Sequence, residues 1–362
     1  MNEKERLVLQ AIMENPYLSQ QEMATNLSMS RPSLANTIST LIKKGEVIGR
    51  AYVLPEKNTI IAIGGANVDR KFHVEGNVQL ATSNPATVTE SVGGVARNIA
   101  ENLGRLGNEV KLLTVLGQDQ DAVKIEQHST AFIQFDLVEK LTNESTGSYS
   151  AVLGEDGELV IALANMAIYD SLLPAIISKH EASLSNAKCI IVDLNCPKET
   201  VVYLQQLAFE RDISFVIVPV SSPKMNRMPE NLSGVSYFIC NRDEAETYLK
   251  LSLEEEAHYE EAVKQLLQKG AEHVILTRGE YGVIAGSKDG ITRFNAVNVE
   301  QIVDVTGAGD AFVSAFLHGV LHQESFTEAI KFGLYNSAQT LKMDSTVRTD
   351  LSHNEITKWR EQ

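Results

Sequence analysis

Residues 60–65 read Ile60-Ile-Ala-Ile-Gly-Gly65, and this stretch sets the expectation for the fold. Four consecutive apolar residues predict a strand that is buried on both of its faces. Similar apolar runs recur along the chain and are separated by segments with helical patterns. They lie at residues 110–117, 189–194, 214–220, 236–241 and 273–279. The pattern predicts an α/β fold with a central, mostly parallel sheet and helices on both faces.

Two stretches depart from this alternation. Residues 68–91 and 146–163 have the composition of strands and hairpins, and Asp156-Gly157 is a turn signal in the second stretch. We expect them to form a small separate sheet, a β lid that covers a binding site.

The first 55 residues have their own organisation. Three segments have helical patterns, and Ser19 and Ser30 are candidate N-caps of the second and third helices. Residues 47–54 alternate in polarity like a β-ribbon. Three helices followed by a ribbon resemble a winged helix-turn-helix. We therefore expect two modules, residues 1–55 and residues 57–362.

Composition and charge narrow the range of functions. The chain has 362 residues, of which 43% are hydrophobic and 22% are charged, which is ordinary for a globular protein with a core. Its formal net charge is −15, but residues 1–54 carry a net charge of +1, so the remainder carries −16. An acidic main body argues against nucleic acid as its general ligand.

Other classes are excluded by what the sequence lacks. It has no apolar run of about 18 residues, so no membrane span is expected. The first ten residues do not have the layout of a signal peptide. Cys189, Cys196 and Cys240 have no metal-ligand spacing, and we expect buried free thiols in a cytoplasmic protein.

The sharpest chemical signal is Asp304-Val-Thr-Gly-Ala-Gly-Asp310-Ala-Phe312. The Gly307-Ala308-Gly309 run precedes an apolar helical stretch, and the free N–H groups of a helix start form an anion site. Asp310 would compete with a bound phosphate unless its carboxylate faces an acceptor hydroxyl and takes the proton during phosphoryl transfer. The alternative is a glycine turn with a helix cap.

This string resembles the C-terminal signature of the PfkB/ribokinase family of carbohydrate kinases, and the resemblance covers about residues 59–345. Gly93-Gly-Val-Ala-Arg-Asn98, with the residues that follow it, resembles the family's other signature. The resemblance implies a ribokinase-like fold and sugar binding by Asn98, with a close approach of the backbone at Gly93 and Gly94. It also implies that Asn67 and Asp69 lie at the sugar, Asp69 binding two of its hydroxyls.

The same resemblance implies a set of residues that bind the nucleotide. The Asn241-Arg-Asp-Glu244 segment matches a family motif that organises Mg²⁺ through water and phosphate; on its own it is also a plain N-capped helix start. Thr277, Gly279 and Gly282 resemble a loop beside the nucleotide phosphates, and Asn336 is expected to border the adenine. The implied cofactors are ATP, Mg²⁺ and K⁺.

Within the family, the chain is most similar to pseudouridine kinases. The similarity rests on four segments: Ser83-Asn84-Pro85, the residues of the Gly93 motif, Asn165-Met166 and Pro219-Val-Ser221. They imply a nucleoside substrate phosphorylated at its 5′-hydroxyl, and we expect Ser83, Asn84 and Asn165 to contact the base. Val218 and Asn165 stand where the pattern has Asp. The alternatives are another nucleoside, ribose, or a transcription regulator that senses a nucleoside.

The winged helix-turn-helix interpretation makes the third helix a DNA-recognition helix. Arg31, Ser33 and Asn36 would then reach base edges, because they lie near the N-terminal end of that helix. The expected phosphate contacts are Lys43, Lys44 and Arg50. DNA binding of this type implies a homodimer. A structural or dimerising role of the module is the alternative, since its net charge is small.

Overall fold

A computed structural model describes residues 1–49 and 57–358. In chain order, the α-helices are α1 (Glu3–Glu14), α2 (Gln20–Asn26), α3 (Arg31–Lys43), α4 (Val95–Arg105), α5 (Gln120–Ser129), α6 (Pro174–Ile177), α7 (Glu181–Ser185), α8 (Lys198–Arg211), α9 (Arg242–Leu249), α10 (Glu256–Gln268), α11 (Ala308–Leu321), α12 (Phe326–Thr340) and α13 (His353–Thr357). The strands are β1 (Ile60–Ile63), β2 (Asn67–Val74), β3 (Ala86–Gly93), β4 (Val110–Leu113), β5 (Val115–Gly117), β6 (Glu139–Leu141), β7 (Ser148–Leu153), β8 (Leu159–Asn165), β9 (Cys189–Asp193), β10 (Ser214–Val218), β11 (Tyr237–Asn241), β12 (His273–Thr277), β13 (Val283–Ser287) and β14 (Gly290–Phe294).

The chain divides into two compact units, the first formed by residues 1–59 and 180–188. In this unit the side chains of Ser19 and Ser30 accept hydrogen bonds from the third helical residues of α2 and α3, as their sequence predicted. One face of each helix is buried in a shared apolar core that includes Val8, Ile12, Met23, Leu34, Ile38 and Leu41. The predicted ribbon at residues 47–54 lies mostly outside the described residues.

The second unit contains an eight-stranded sheet with the order β14-β13-β12-β11-β10-β9-β1-β4. The six strands from β4 to β12 in this order pair in parallel, and β13 and β14 add an antiparallel edge. The predicted mostly parallel α/β fold is therefore confirmed. All residues of β1 and β9 are buried, as expected for strands that are covered on both faces.

One apolar run does not form a single strand. Residues 110–117 split at Thr114 into β4, in the main sheet, and β5, which pairs with β6 in a separate two-stranded sheet. Thr114 is fully buried, and its hydroxyl donates to the carbonyl oxygen of Gly64 at 2.6 Å. This side-chain bond fixes the bend, which an apolar pattern cannot reveal.

The predicted β lid is a four-stranded sheet, here called the lid sheet, with the order β3-β2-β7-β8. β2 pairs antiparallel with β3 and parallel with β7, and β7 pairs antiparallel with β8. Asp156-Gly157 lies between β7 and β8 as the sequence predicted. No helix in the described part of the chain is long and apolar enough to cross a membrane.

Candidate active site

The carboxyl ends of β1 and β9 meet at a switch point of the main sheet. β1 pairs with β4 on one side and with β9 on the other, so successive connections leave in opposite directions. Ligands of open α/β sheets bind in the crevice at such a point. Here β1 runs into Gly64-Gly65, and β9 ends at Asp193.

Asp193 holds the backbone around this crevice. Its Oδ2 atom accepts hydrogen bonds from the amides of Gly65, at 2.9 Å, and Ala96, at 3.0 Å, and its Oδ1 atom accepts from the amide of Asn195 at 2.8 Å. The side chain is buried, and burial raises its pKa, although the three N–H groups oppose that shift. Asp193 thereby joins the turn after β1 to the start of α4.

That joint requires glycine at Gly94. Its φ is +99°, and an added Cβ atom would lie 2.4 Å from the carbonyl oxygen of Gly65. The two turns therefore cross with their backbones in contact, as only glycine permits. The sequence indicated these glycines but gave no role to Asp193, whose one signal is an acid at the end of an otherwise apolar run.

A cavity of about 470 Å³ opens at this edge of the sheet. It brings together seven of the residues that the sequence singled out, namely Asn67, Asp69, Gly94, Asn98, Gly307, Gly309 and Asp310. They come from the lid sheet, from α4 and from the loop and first turn of α11. Gly93 adjoins the cavity, since a Cβ atom there would lie 2.2 Å from Asp69 Oδ2.

Asp310 faces the cavity from the first turn of α11. Its Oδ2 atom accepts a hydrogen bond from Asn98 Nδ2 at 2.8 Å. Desolvation raises the pKa of Asp310 to about 7, and the negative charge of Asp193 acts in the same direction, whereas Asn98 and Arg97 oppose the shift. A carboxylate with a pKa near neutrality is suited to general-base catalysis.

The start of α11 is open to an anion. Among the described residues, the amides of Gly307, Gly309 and Asp310 have no hydrogen-bond acceptor, whereas the amide of Ala308 donates to the carbonyl oxygen of Val305 at 3.3 Å. No side chain caps this helix. Free N–H groups at a helix N-terminus favour a phosphate group. The sequence predicted an anion site at the amides of Gly307, Ala308 and Gly309. The amide of Ala308 is already hydrogen-bonded, and the amide of Asp310 is open to an anion in its place.

The sugar-binding candidates on β2 contact each other. Asn67 Nδ2 donates a hydrogen bond to Asp69 Oδ1, and both side chains line the cavity. Desolvation raises the pKa of Asp69 to about 6, and the bond from Asn67 opposes this. A carboxylate with one oxygen bound and one available can accept bonds from sugar hydroxyls.

Asn241 and Glu244 form a capping box at the start of α9. Asn241 Oδ1 accepts from the amide of Glu244 at 2.9 Å, and Glu244 Oε2 accepts from the amide of Asn241 at 2.8 Å. The plain helix start that the sequence allowed is therefore present. Glu244 is nevertheless buried rather than exposed, and desolvation raises its pKa to about 7.

The other nucleotide-side candidates separate into two groups. Asn241 and Thr277 are paired residues at the carboxyl ends of β11 and β12, and Gly279 and Gly282 follow in the next loop with φ of +57° and +82°. Asn336 instead is fully buried, and its amide group donates to the carbonyl oxygen of Ala311 and accepts from Arg348 Nε, both at 2.9 Å. It joins α12 to α11, and its side chain is buried in the structure.

The base-reading candidates are not cavity residues. Ser83 is exposed, and the amide of Asn84 closes a local turn with Gln79 and Thr82, so the turn between β2 and β3 uses it. Asn165 ends β8 between two lining residues, Ala164 and Met166, but does not line the cavity itself.

The lining residues that the sequence did not single out as candidate contacts include Tyr149, Met166, Ser221 and Lys224. Lys224 is half-buried, and no hydrogen bond or ion pair engages its ammonium group within the described residues. Desolvation and the neighbouring Arg227 lower its pKa. No local pattern marked this lysine, because only the fold brings the segment after β10 to the cavity.

The candidate DNA contacts of the N-terminal unit lie on α3. Arg31, Asn36 and Lys43 are exposed, and Ser33 is half-buried. Lys44 is engaged within the unit, because its ammonium group binds the buried carboxylate of Glu5 at 3.0 Å. Arg50 lies outside the described residues.

Comparison with known proteins adds independent findings. A family model described as "pfkB family carbohydrate kinase" matches residues 57–351, and one described as "Winged helix-turn-helix DNA-binding" matches residues 1–47. An uncharacterized sugar kinase of Escherichia coli, YeiI, is 28% identical over 335 residues, which is 92% of either chain. The pseudouridine kinase of the same organism is 28% identical over 300 residues, 82% of this chain and 95% of its own. A carbohydrate kinase structure from Agrobacterium tumefaciens, 27% identical, superposes with a TM-score of 0.73 over 83% of this chain and 96% of its own.

Proposed function

The chain belongs to the pfkB family of carbohydrate kinases, and from that premise we propose that it phosphorylates the 5′-hydroxyl of a nucleoside with ATP, with pseudouridine as the preferred acceptor. The family makes it a phosphotransferase with an alcohol acceptor. One observation carries the proposal for its chemistry. A cavity-facing carboxylate with a pKa near 7, Asp310, lies at a helix start where the amides of Gly307, Gly309 and Asp310 have no acceptor among the described residues.

The proposed reaction uses both features of that helix start. Asp310 takes the proton of the acceptor hydroxyl while the hydroxyl oxygen forms a bond to the γ-phosphorus atom and the bond from phosphorus to the ADP oxygen breaks. The amides of Gly307, Gly309 and Asp310 donate to the γ-phosphoryl oxygens as charge develops on them. Asn98 keeps the Asp310 carboxylate in place through its 2.8 Å bond.

Mg²⁺ fits the residues of the nucleotide side. Glu244 uses Oε2 in the capping box, which leaves Oε1 to accept from a water molecule of a hydrated Mg²⁺. A cation near Glu244 would lower the raised pKa of this carboxyl, since a positive charge stabilises the ionised carboxylate. Bound with ATP, the ion would neutralise phosphate charge. Asp304, beside the loop, is paired with Lys71 at 2.6 Å, so we assign it no K⁺ and derive no step from that ion.

The acceptor cavity is large enough for a nucleoside. Its volume of about 470 Å³ lies within the usual range for sites that enclose a small organic ligand with more than one ring. Asp69 and Asn98 lie where ribose hydroxyls would be held, near Asp310. Tyr149, Met166 and Lys224 form the part of the cavity wall that remains to contact a base.

Lys224 supports a base that is rich in carbonyl oxygens. Its unpaired ammonium group can only donate hydrogen bonds, so it suits the two carbonyl oxygens of a uracil ring and not the amino group of adenine. We therefore assign base recognition to Lys224, with Ser221 beside it in the cavity wall, in place of Ser83 and Asn84.

The substrate assignment is tested by measuring kcat/KM for pseudouridine, uridine, inosine, adenosine and ribose. We expect pseudouridine to be best and ribose to be poor. Lys224→Met should lower kcat/KM for pseudouridine about 10- to 100-fold, since a hydrogen bond to a charged group is worth about 1.5–3 kcal/mol, and should leave the value for ribose unchanged. Lys198→Met, on the surface, is the control. Equal values for ribose and pseudouridine would overturn the nucleoside assignment while the kinase stands.

A second activity is favoured by the match of residues 1–47 to winged helix-turn-helix DNA-binding proteins. We propose that α3 binds DNA, with Arg31 and Asn36 exposed toward base edges and Lys43 toward phosphate, in a homodimer. A DNA-binding sensor of nucleosides is the alternative to a working kinase.

DNA affinity of the full chain for its own upstream sequence is the test. Lys43→Ala should weaken binding and reduce its dependence on salt, because fewer counterions are released. Lys342→Ala, outside the module, is the control. If the full chain has no affinity at low salt, or if Lys43→Ala binds like the parent protein, α3 is not the DNA-binding element.

A further inference from the structure

A buried arginine lies behind the catalytic base. Arg97, in the first turn of α4, has a side chain that is 1% exposed. Its guanidinium group makes one hydrogen bond to a carboxylate, with Nη2 donating to Glu101 Oε2. Nε donates to Ser129 Oγ at 3.0 Å. Nη1 donates to the carbonyl oxygen of Val92, at 2.7 Å, and to Asn98 Oδ1, also at 2.7 Å.

The last of these bonds connects Arg97 to Asp310. An asparagine amide can present either its oxygen or its NH₂ group to a neighbour. Because Asn98 Oδ1 accepts from Arg97, its NH₂ group is the end that points at Asp310 Oδ2, 2.8 Å away. With the amide reversed, two acceptors would face each other at the base, and the guanidinium group would lose a partner.

The direction of the amide matters to the chemistry. An N–H donor on Oδ2 stabilises the ionised form of the Asp310 carboxylate. It also occupies one oxygen, so that the other is the one left to accept the proton of the acceptor hydroxyl. A side chain that fixes the amide therefore fixes both the charge state and the orientation of the base.

We propose that Arg97 is a positioning residue for the phosphoryl transfer, acting through Asn98 on the carboxylate of Asp310, with Glu101 as the buried counter-charge that holds the guanidinium group. The inference rests on the proposed function, since Asp310 must be the base. Arg97 does not line the acceptor cavity, so it is not assigned a contact with substrate.

Glu101 and the charged groups around Asp310 set the electrostatic environment of the hydrogen bond between Asn98 and Asp310. Glu101 is fully buried and also accepts from Arg105 Nη2 at 2.8 Å, so its charge is shared by two arginines of α4. Charged groups on other elements also face Asp310: the buried Asp193 of β9, the cavity-lining Asp69 of β2 and Lys224 after β10. Lys224 is the one positive charge among these three, and it has no hydrogen-bonded path to Asp310 in the described residues, whereas Arg97 has one through Asn98.

The test is the pH profile of kcat in two variants with opposite expected effects. Arg97→Lys keeps the positive charge but loses the geometry that reaches both Glu101 and Asn98. We expect kcat to fall about 100-fold, as misplacement of a catalytic group does. The acidic limb of the profile should move up by about one pH unit, because Asp310 loses a properly aligned donor.

Glu101→Gln preserves the shape of the counter-charge and removes its negative charge. The field of Arg97 at Asp310 is then less compensated, so the acidic limb should move down. Arg105→Lys is the matched control, because Arg105 binds the same Glu101 and has no bond to Asn98. Its profile should coincide with that of the parent protein.

The outcomes separate the inference from the proposed function. If Asp310→Asn retains its activity, the assignment of the base fails. If Asp310→Asn is inactive but Arg97→Lys and Glu101→Gln leave the acidic limb where it was, only the role of Arg97 is overturned. Should Arg97→Lys not fold, Glu101→Gln decides, and an unmoved limb in that folded variant refutes the proposal.

Discussion

Asp310 and Glu244 occupy the same position in two helices, the third residue of α11 and of α9. Burial raises the pKa of each carboxyl to about 7. Glu244 turns back onto the amide of the residue that caps its own helix, Asn241, whereas Asp310 is held by Asn98 from α4. The same acid at the same helix position therefore has a local partner in one case and a distant one in the other.

The residue before each helix accounts for the difference. Asn241 has a side chain that accepts from the amide of Glu244, so the first turn of α9 is closed by its own residues. Gly307 has no side chain, and of the three amides that follow it only that of Ala308 has an acceptor among the described residues. A helix start that is closed locally stabilises the fold, and one that is left open can bind an anion.

Replacing the acid of the open helix start should have the largest effect. Asp310→Asn should lower kcat by about 10²–10⁴-fold, the usual worth of a general base, while the affinity for ATP stays nearly constant. Steady-state kinetics and a nucleotide-binding titration measure the two quantities. Asp289→Asn, in the exposed turn between β13 and β14, is the control. A variant at residue 310 that kept a tenth of the parent rate would show that Asp310 is not the base.

The glycine that opens the helix start comes next. Gly307 has φ of +82°, and an added Cβ atom would lie 2.2 Å from the carbonyl oxygen of Thr346. Gly307→Ala should therefore shift the free amides, lower kcat by about 10²–10³-fold and lower Tm. Gly309→Ala is the control for Tm, since a Cβ atom there meets nothing within 4 Å. Equal melting temperatures of the two variants would argue against strain at Gly307.

The pH profile sharpens the comparison between the two acids. Asp310 must be ionised to act as a base, so kcat/KM should fall about tenfold per pH unit as the pH drops below its pKa of about 7. The raised pKa lowers stability progressively as the pH rises from the ordinary pKa of an aspartate, about 3.9, to about 7, because over that range the unfolded chain has lost a proton that the folded protein still holds. Asp310→Asn should then melt above the parent protein at pH 8, and the difference should shrink by pH 5. A difference that does not depend on pH would contradict the shift.

The smallest effect is expected for the acid of the closed helix start. Glu244→Gln keeps an oxygen for the amide of Asn241, so the helix should stay capped. It removes the charge near a hydrated Mg²⁺, which should raise the Mg²⁺ concentration needed for half-maximal rate by about tenfold. Glu22→Gln changes the same position of α2, where the acid is exposed, and should have no effect. An unchanged Mg²⁺ titration would leave Glu244 with its capping role alone.

In the N-terminal unit, local sequence patterns predict where helices begin but do not predict every side-chain contact. The second and third helices of this unit begin where their serine caps predict, because capping depends on residues three positions apart. The side chain of Lys44 could not be placed in this way. Its partner Glu5 lies 39 residues away in the chain, so only the packing of α1 against α3 reveals the ion pair.

The sequence by itself determined the class of fold, predicted two modules and named seven of the residues that line the cavity. Apolar runs report burial on both faces of a strand, and the Gly93 and Gly307 motifs carry their chemistry in consecutive residues. Tertiary structure alone decided which side chains act together. Asp193, Lys224 and the path from Arg97 to Asp310 depend on contacts between segments that are distant in the chain. Asn98 and Asp310 are separated by 212 positions, and no local pattern reports a hydrogen bond formed over that distance.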